Sequence, residues 1–308
     1  VAAGNKVTLN LDNGSLLGYS IDQGAINALA ENKQLIKADG GQVLLGAKAL
    51  DSLTSAAVNN TGIIEAKTLQ NKAGRIMLMG DMAHGTVNIG GTLDASAPNG
   101  GDGGFIETSA AQFKILPGAK VTTQAPQGKT GTWLLDPASV TIAGGTGTTD
   151  ANTIYEDYLE AATTNVVIEA DNAITASGTF GNSDVQMRSG LDLTIRTIGT
   201  SGTGIDLTGS THGTALDFKT SGGGSVLMST AAASQAIKTS QVTVADGGNI
   251  TLNSAGLLDI TNTSLQTAGG AISLTGAGTS LGDGVKISTA VVNAGTGALN
   301  ITGSSTTG

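Results

Sequence analysis

The feature that most limits the possible folds is a short phrase repeated along the whole chain. It is a glycine, one variable residue, then a brief alternation of apolar and polar side chains. Gly85–Ala95 shows it in full: Val87 and Ile89 alternate with Thr86 and Asn88, a Gly90–Gly91 pair follows, and Leu93 and Ala95 alternate with Thr92 and Asp94. Alternation of period two puts all the apolar side chains of a strand on one face. Glycine permits a sharp corner between two such strands. Strands this short cannot bury an apolar face alone and must stack on copies of themselves. The predicted fold is therefore all-β, a right-handed parallel β-helix with one or two short helical excursions.

Composition fits a thin core one coil wide. Among 308 residues there are 47 Gly and 4 Pro, and aromatic residues make up only 3%. A broad globular core of this length would use more Phe, Tyr and Trp. Hydrophobic residues at 39% and charged residues at 13% exclude the low-hydrophobicity, high-charge signature of disorder. The net charge of -9 opposes binding to nucleic acid and to anionic membrane surfaces. No apolar run approaches the roughly 18–20 residues that span a bilayer, so no membrane insertion is expected. Val1–Lys6 lacks a basic-then-apolar signal pattern, as expected of a mature or excised piece. With 0 Cys there is neither a disulfide framework nor a thiolate metal site.

Along the chain, Val7–Leu11 reads as a strand and Asn13–Gly14 as a turn. Ala25, Ile26, Ala28, Leu29 and Ala30 predict a short amphipathic helix within Gln23–Lys33, a capping excursion. Phrases opening at Gly41, Gly74 and Gly104 follow at about 30-residue intervals. Residues 124–150, with Pro126, Gly128, Gly131, Pro137 and a Gly-rich run at 143–147, read as a junction interrupting the strands. A second short helix is expected over Tyr155–Ala162. The phrase then returns at Gly190, Gly224, Gly248, Gly270 and Gly297, the last four spaced by 22 to 27 residues. The organisation is thus 1–123, a β-helix; 124–150, a junction; and 151–308, β-helical repeats. About twelve coils rising about 4.8 Å each would make a rod on the order of 60 Å. No capping segment follows Gly297–Thr302, so the repeats are expected to continue beyond 308.

Few residues invite a chemical assignment. Gly128-Lys129-Thr130 lacks the glycine a phosphate loop needs five residues earlier, where Thr123 stands. Gly100–Gly103 has half of a calcium nonapeptide, without the tandem copies that complete an oxygen shell; Gly282–Gly284 is its only echo. His84 and His212 have no His or Cys partner at ligand spacing. Glu156, Asp157 and Glu160 read as a solvated helix face, and Asp192, Asp206, Asp217 and Asp246 as residues facing water. Trp133, beside Leu134 and Leu135, reads as an apolar plug rather than a sugar-stacking platform. Asn13, Asn59, Asn249, Asn262 and Asn300 each open an Asn-x-Ser/Thr triplet, frequent by chance in Ser/Thr-rich repeats. No catalytic, cofactor-binding or metal-ligating residue is assigned, and no ligand-binding residue can be named.

Three blocks carry a resemblance. Ala38–Leu45, Gly91–Ser109 and Thr130–Pro137, extended by Thr164–Thr175, resemble the filamentous-haemagglutinin family of two-partner-secretion exoproteins of Gram-negative bacteria. The resemblance is ordered over 1–175 and is generic repeat similarity beyond. The family's secretion domain usually carries Asn-Pro-Asn motifs, and no Asn-Pro occurs here. The resemblance therefore implies the end of a secretion domain plus the start of an adhesive shaft. It implies a secreted, cell-surface location, an outer-membrane transporter as partner during export, and host-cell or biofilm-matrix glycans as ligands. An adhesive, structural role without enzymatic activity or cofactor is the first expectation. The alternatives are a β-helical polysaccharide-active enzyme, disfavoured by Lys and Arg that lie far in sequence from any dense acid set, and the inert stalk of a contact-dependent toxin.

Overall fold

A computed structural model describes residues 1–10, 18–70, 72–145, 150–178, 180, 184–209, 217–278 and 282–305. The predicted Asn13–Gly14 turn, His212 and Thr146–Gly147 lie outside the described residues. The chain is 53% strand and 2% helix, built from long parallel sheets, which makes it a parallel β-helix. It divides into two compact units, one centred on Val1–Ala138 and one on Val166–Gly308. Ser139–Gly147 and Ile154–Ala162 belong to the second.

In the first unit each coil crosses three parallel sheets. One sheet orders Ala2–Ala3, Gln42–Ala47, Arg75–Met79, Phe105–Ser109 and Thr132–Asp136. The second orders Ala28–Asn32, Ala56–Asn60, Gly85–Ile89 and Gln112–Ile115. The third orders Leu35–Lys37, Ile63–Glu65, Thr92–Asp94 and Lys120–Thr122. The phrase Gly85–Ala95 is two sides of one coil, with Gly90–Gly91 at the corner. Identical register stacks like on like: Val43, Ile76, Ile106 and Trp133 form one inward column. Trp133 is 2% exposed and its indole N–H donates to Thr108 Oγ1 at 3.1 Å, so it plugs the core and offers no ring to a sugar.

The second unit repeats the plan. Leu193–Thr197, Val226–Ser229, Ile250–Ser254, Ile272–Gly278 and Leu299–Ser305 stack in one sheet. Ser139–Ala143, Ala173–Ser177, Gly204–Asp206, Ala236–Lys238, Leu258–Thr261 and Val285–Ser288 form another. The third runs from Asp184–Gln186 through Asp217–Thr220, Gln241–Val244 and Ser264–Thr267 to Val291–Asn293. The helix predicted near Tyr155 is present as Glu156–Ala161 and packs beside Asp184–Gln186.

Two expectations are corrected. Gln23–Lys33 is not helical: Gly18–Gln23 pairs antiparallel with Lys6–Asn10, and Ala28–Asn32 joins a parallel sheet. Ala28, Ala30 and Asn32 are buried while Leu29 and Glu31 are exposed, a period of two. Apolar residues on both parities imitated a helical stripe, and pairing to the next coil decided the outcome. Residues 124–150 do not interrupt the strands either. Thr132–Asp136 and Ser139–Ala143 occupy regular sheet positions, with Pro126, Gly128 and Gly131 before the first and Pro137 between the two, and the division between the two units falls within this stretch, after Ala138.

The anchor glycines have a steric cause. A Cβ at Gly104 would overlap the carbonyl oxygen of Gly74, and one at Gly131 that of Gly104. In the second unit Gly248, Gly270 and Gly297 lie in the same way on the carbonyls of Gly224, Gly248 and Gly270. Each column brings backbone against backbone at a coil's entry into its strand, and only glycine fits. Beside it a polar ladder sets the register. Asp192 Oδ1 accepts the N–H of Ser225 at 2.8 Å, Ser225 Oγ that of Asn249 at 3.0 Å, and Asn249 Oδ1 that of Ala271 at 2.8 Å. Buried amides do the same work elsewhere: Asn32 Nδ2 donates to Asn60 Oδ1 at 2.8 Å, and Asn60 Nδ2 to the carbonyl of Gly90 at 2.6 Å.

Substituting Gly248 by Ala should lower stability by about 1–3 kcal/mol, because backbone rather than a flexible side chain must move. Thr251→Ala, on the outward face of the next strand, should stay within about 0.5 kcal/mol. Denaturant unfolding followed by far-ultraviolet dichroism measures both. Asn60→Ala removes the shortest bond of the Asn32 amide and the side-chain donor to the Gly90 carbonyl, and should cost about 1–3 kcal/mol in the same assay.

Candidate functional site

Outward positions carry what chemistry the chain has, and stacking decides which of them meet. In the first unit Lys37, Glu65 and Asp94 share one register position, with Asp39 and Lys67 two residues further along their coils. Lys37 Nζ lies 3.2 Å from both Asp39 and Glu65. Lys67 Nζ lies 3.0 Å from Glu65 and 3.2 Å from Asp94. Hydrogen bonds from Lys67 and then Lys37 hold the Glu65 carboxyl below its ordinary value, and Glu65 in turn raises Lys67. Lys and Arg that lie far in sequence from any dense acid set thus meet acids when coils stack: Lys37 reaches Glu65, 28 residues on, and Lys67 reaches Asp94, 27 residues on. The Glu65 carboxylate is thereby held ionised, which suits an inter-coil tie.

The second unit carries a matching outward row, Thr141, Thr175, Asp206, Lys238, Asp259 and Lys286, at one register position. Lys238 lies 3.2 Å from Asp206, and Lys286 lies 3.3 Å from Asp259. A groove of about 330 Å³ lies over this row, lined by Ala176 and Ile205 together with Thr175, Thr203, Asp206, Thr208 and Lys238.

A larger groove, about 400 Å³, lies on the outside of the first unit. The antiparallel hairpin folds over the outer face of Gln42–Ala47, where Gly46 leaves room: a Cβ there would meet Tyr19 Oη at 2.7 Å. Beyond the hairpin the next strand presents Met77 and Met79 outward, and the turn after it presents Met82. Tyr19 and Ile21 form one wall, and Leu44 with the methionines forms the floor and the other wall. Tyr19 donates its hydroxyl to the Val1 carbonyl, and burial raises its pKa to about 12. Sequence reading did not find this groove. Its signal is Arg75-Ile76-Met77-Leu78-Met79, a strand apolar on both parities.

The remaining candidates fall into structural places. Asp102 Oδ1 accepts the N–H of Lys129 at 2.8 Å, and the Asp102 carbonyl takes the Thr68 hydroxyl at 2.6 Å. The half-nonapeptide and Gly128–Thr130 are thus two loops stacked on each other. Among the described residues no group of three or more His, Asp or Glu is placed to hold a metal ion. His84 is exposed, its backbone N–H bonded to Asp81. Glu156 does not face water: it is 7% exposed and accepts the N–H of Gly145 at 3.0 Å. Asp217 is likewise buried at 7%, taking the Thr243 hydroxyl at 2.8 Å, and burial raises its pKa. Both carboxylates lie where the chain packs against itself, so alternation alone misplaced them. Asp192 and Asp246 are exposed and Asp206 is half-buried. Of the triplet asparagines, Asn249, Asn262 and Asn300 are exposed, Asn59 is half-buried and accepts from Asn88, and Asn13 is outside the described residues.

Compared with protein-family models, with curated protein sequences and with solved structures, the chain finds no significant match in any of the three.

The charged row predicts an asymmetric pH profile. The folded Glu65 pKa lies below its ordinary 4.5, so its contribution is complete above that value and is lost as pH falls through the depressed one. The Lys67 pKa is raised above 10.5, so its contribution is complete below that value and is lost as pH rises through the raised one. Glu65→Gln should flatten the acid limb of a stability-against-pH curve while changing neutral stability by no more than about 1 kcal/mol, the range of an exposed pair.

Proposed function

We propose that this chain is a structural, adhesive segment of a large secreted bacterial surface protein, of the filamentous-haemagglutinin kind that its sequence blocks resemble. The observation that carries the reading is repetition on the outside. Each unit holds its coils in one register, so polar outward side chains recur coil after coil as rows of Thr, Asp and Lys. Repeated weak contacts to a repeated ligand sum into avidity without any deep site. The groove over Asp206 and Lys238 offers hydroxyls, a cation and an anion together, the donors and acceptors that a host-cell or matrix glycan requires. A chain with no cysteine also suits passage, unfolded, through an outer-membrane transporter, since no disulfide loop blocks threading.

The test is density-dependent capture. Beads bearing the full chain should retain matrix polysaccharide or glycan-coated particles steeply more as surface density rises, and soluble monomeric sugar should compete poorly. Absence of retention at every density removes the adhesive reading. Accumulation of unsaturated product from polyuronides would replace it with an enzymatic one.

A further inference from the structure

The groove on the first unit does not belong to that polar, repetitive surface. Outward positions of a solvated solenoid are polar, and those of Ile250–Ser254 and Ile272–Gly278 obey the rule with Thr251, Asn253, Ser273 and Thr275. Leu44, Met77 and Met79 break it over adjacent coils, at Leu44↔Met77 and Gly46↔Met79 in register. Single outward apolar residues also stand on other strands, Leu134 and Leu227 among them, but here they gather over two adjacent coils beside the wall that the hairpin raises. Three of the chain's five methionines meet there; Met82 is 43% exposed, whereas Met187 and Met228, at 1% and 0%, are ordinary core.

The polar equipment of the groove is sparse and one-sided. Tyr19 spends its hydroxyl on the Val1 carbonyl and turns its ring to the groove wall. Asp81 has Oδ1 engaged by the N–H groups of Ala83 and His84 at 2.9 and 2.8 Å. Lys48 is exposed and makes one bond, 3.2 Å to the Ile21 carbonyl, leaving ammonium protons at the groove edge. A sugar or nucleotide would leave most of its hydrogen-bonding groups unmet on such a floor. An unbranched aliphatic chain would not, and flexible thioethers adapt to its shape better than branched side chains do. About 400 Å³ lies in the ordinary size range for a small-ligand site.

We propose that this groove binds a free medium-chain fatty acid, its aliphatic tail on Leu44, Met77, Met79 and Met82 and its carboxylate at Lys48. The site is independent of any adhesive role and would exist whether or not the chain binds glycans.

Decanoate is the probe, titrated calorimetrically into the full chain, with decanol and decylamine as head-group controls. One decanoate should bind per chain, more tightly than decylamine. Met77→Gln keeps length and lack of branching on an outward position and should weaken decanoate and decanol at least tenfold. Lys48→Gln should weaken decanoate at least fivefold and leave decanol unchanged. Hydrogen peroxide supplies a second readout, because each exposed thioether takes one oxygen to give a sulfoxide and water. Peptide mass spectrometry should show Met77, Met79 and Met82 oxidised first and shielded by saturating decanoate. Unshielded methionines, wild-type affinity in Met77→Gln, or decylamine binding tighter than decanoate would each overturn the assignment.

Discussion

The close approach of backbone to backbone at the glycine columns is the contact on which the rest of the structure depends. At Gly104, Gly131, Gly248, Gly270 and Gly297 the chain enters a strand directly over the carbonyl of the coil before it. That contact leaves no room for a Cβ and so allows no drift in register. Once it is set, side chains stack on their own kind, and the thin core closes mostly with aliphatic groups and few aromatic ones, Trp133, Phe113, Phe180 and Phe218. Val226, Ile250, Ile272 and Leu299 follow one another at one position, and a small aliphatic suffices at each.

Fixed register also explains how a chain with few charges stays tied together on its outside. A parallel stack brings residues of successive coils to within bonding reach, so one lysine can serve two acids on different coils, as Lys37 and Lys67 do. Exposed pairs of this kind are individually weak. Their role is specificity: a slip by one residue would turn every such pair inward and every core aliphatic outward. The ladder of Asp192, Ser225 and Asn249 acts in the same direction, because each side-chain oxygen accepts a backbone N–H that only the correct register presents.

These relations decide what was legible in the sequence. The anchor glycines were legible because sterics admit a single residue type, and the strands after them because burial imposes a period of two. The stretch Ala25–Ala30 was not, since alanine and leucine on both parities satisfy a helical stripe as well as a strand, and the choice lies in the pairing of Ala28–Asn32 with Ala56–Asn60. The rows of charge were hidden for a different reason. Lys37 and Glu65, or Asp206 and Lys238, are one coil apart in space and far apart in sequence, and the coil length varies with each loop. Glu156 and Asp217 were misplaced because their burial comes from packing beyond their own strand or turn. The groove left a trace, the double-parity apolar strand Arg75–Met79, which is informative only once the inward face is known.

Against this background the groove is where local sequence and fold disagree over two adjacent coils together. Every other part of the Arg75–Met79 strand follows the common rule: Ile76 and Leu78 face the core at 0% exposure, and Arg75 turns outward over the ring of Phe105 at 5.2 Å. Apolar side chains at Met77 and Met79 contribute nothing to that core and leave thioether surface toward solvent. A fold selected only for stacking gains nothing from them, and polar residues at the same outward positions serve well in neighbouring coils. The hairpin strengthens the point, for Tyr19 and Ile21 cover Gly46 yet stop short of the methionines. Outward apolar residues occur singly on other strands, such as Leu134, Val167 and Leu227; three methionines gathered beside one wall are a denser disagreement, and such clustering marks a demand other than folding. Occupancy by an apolar guest is the demand that matches this surface.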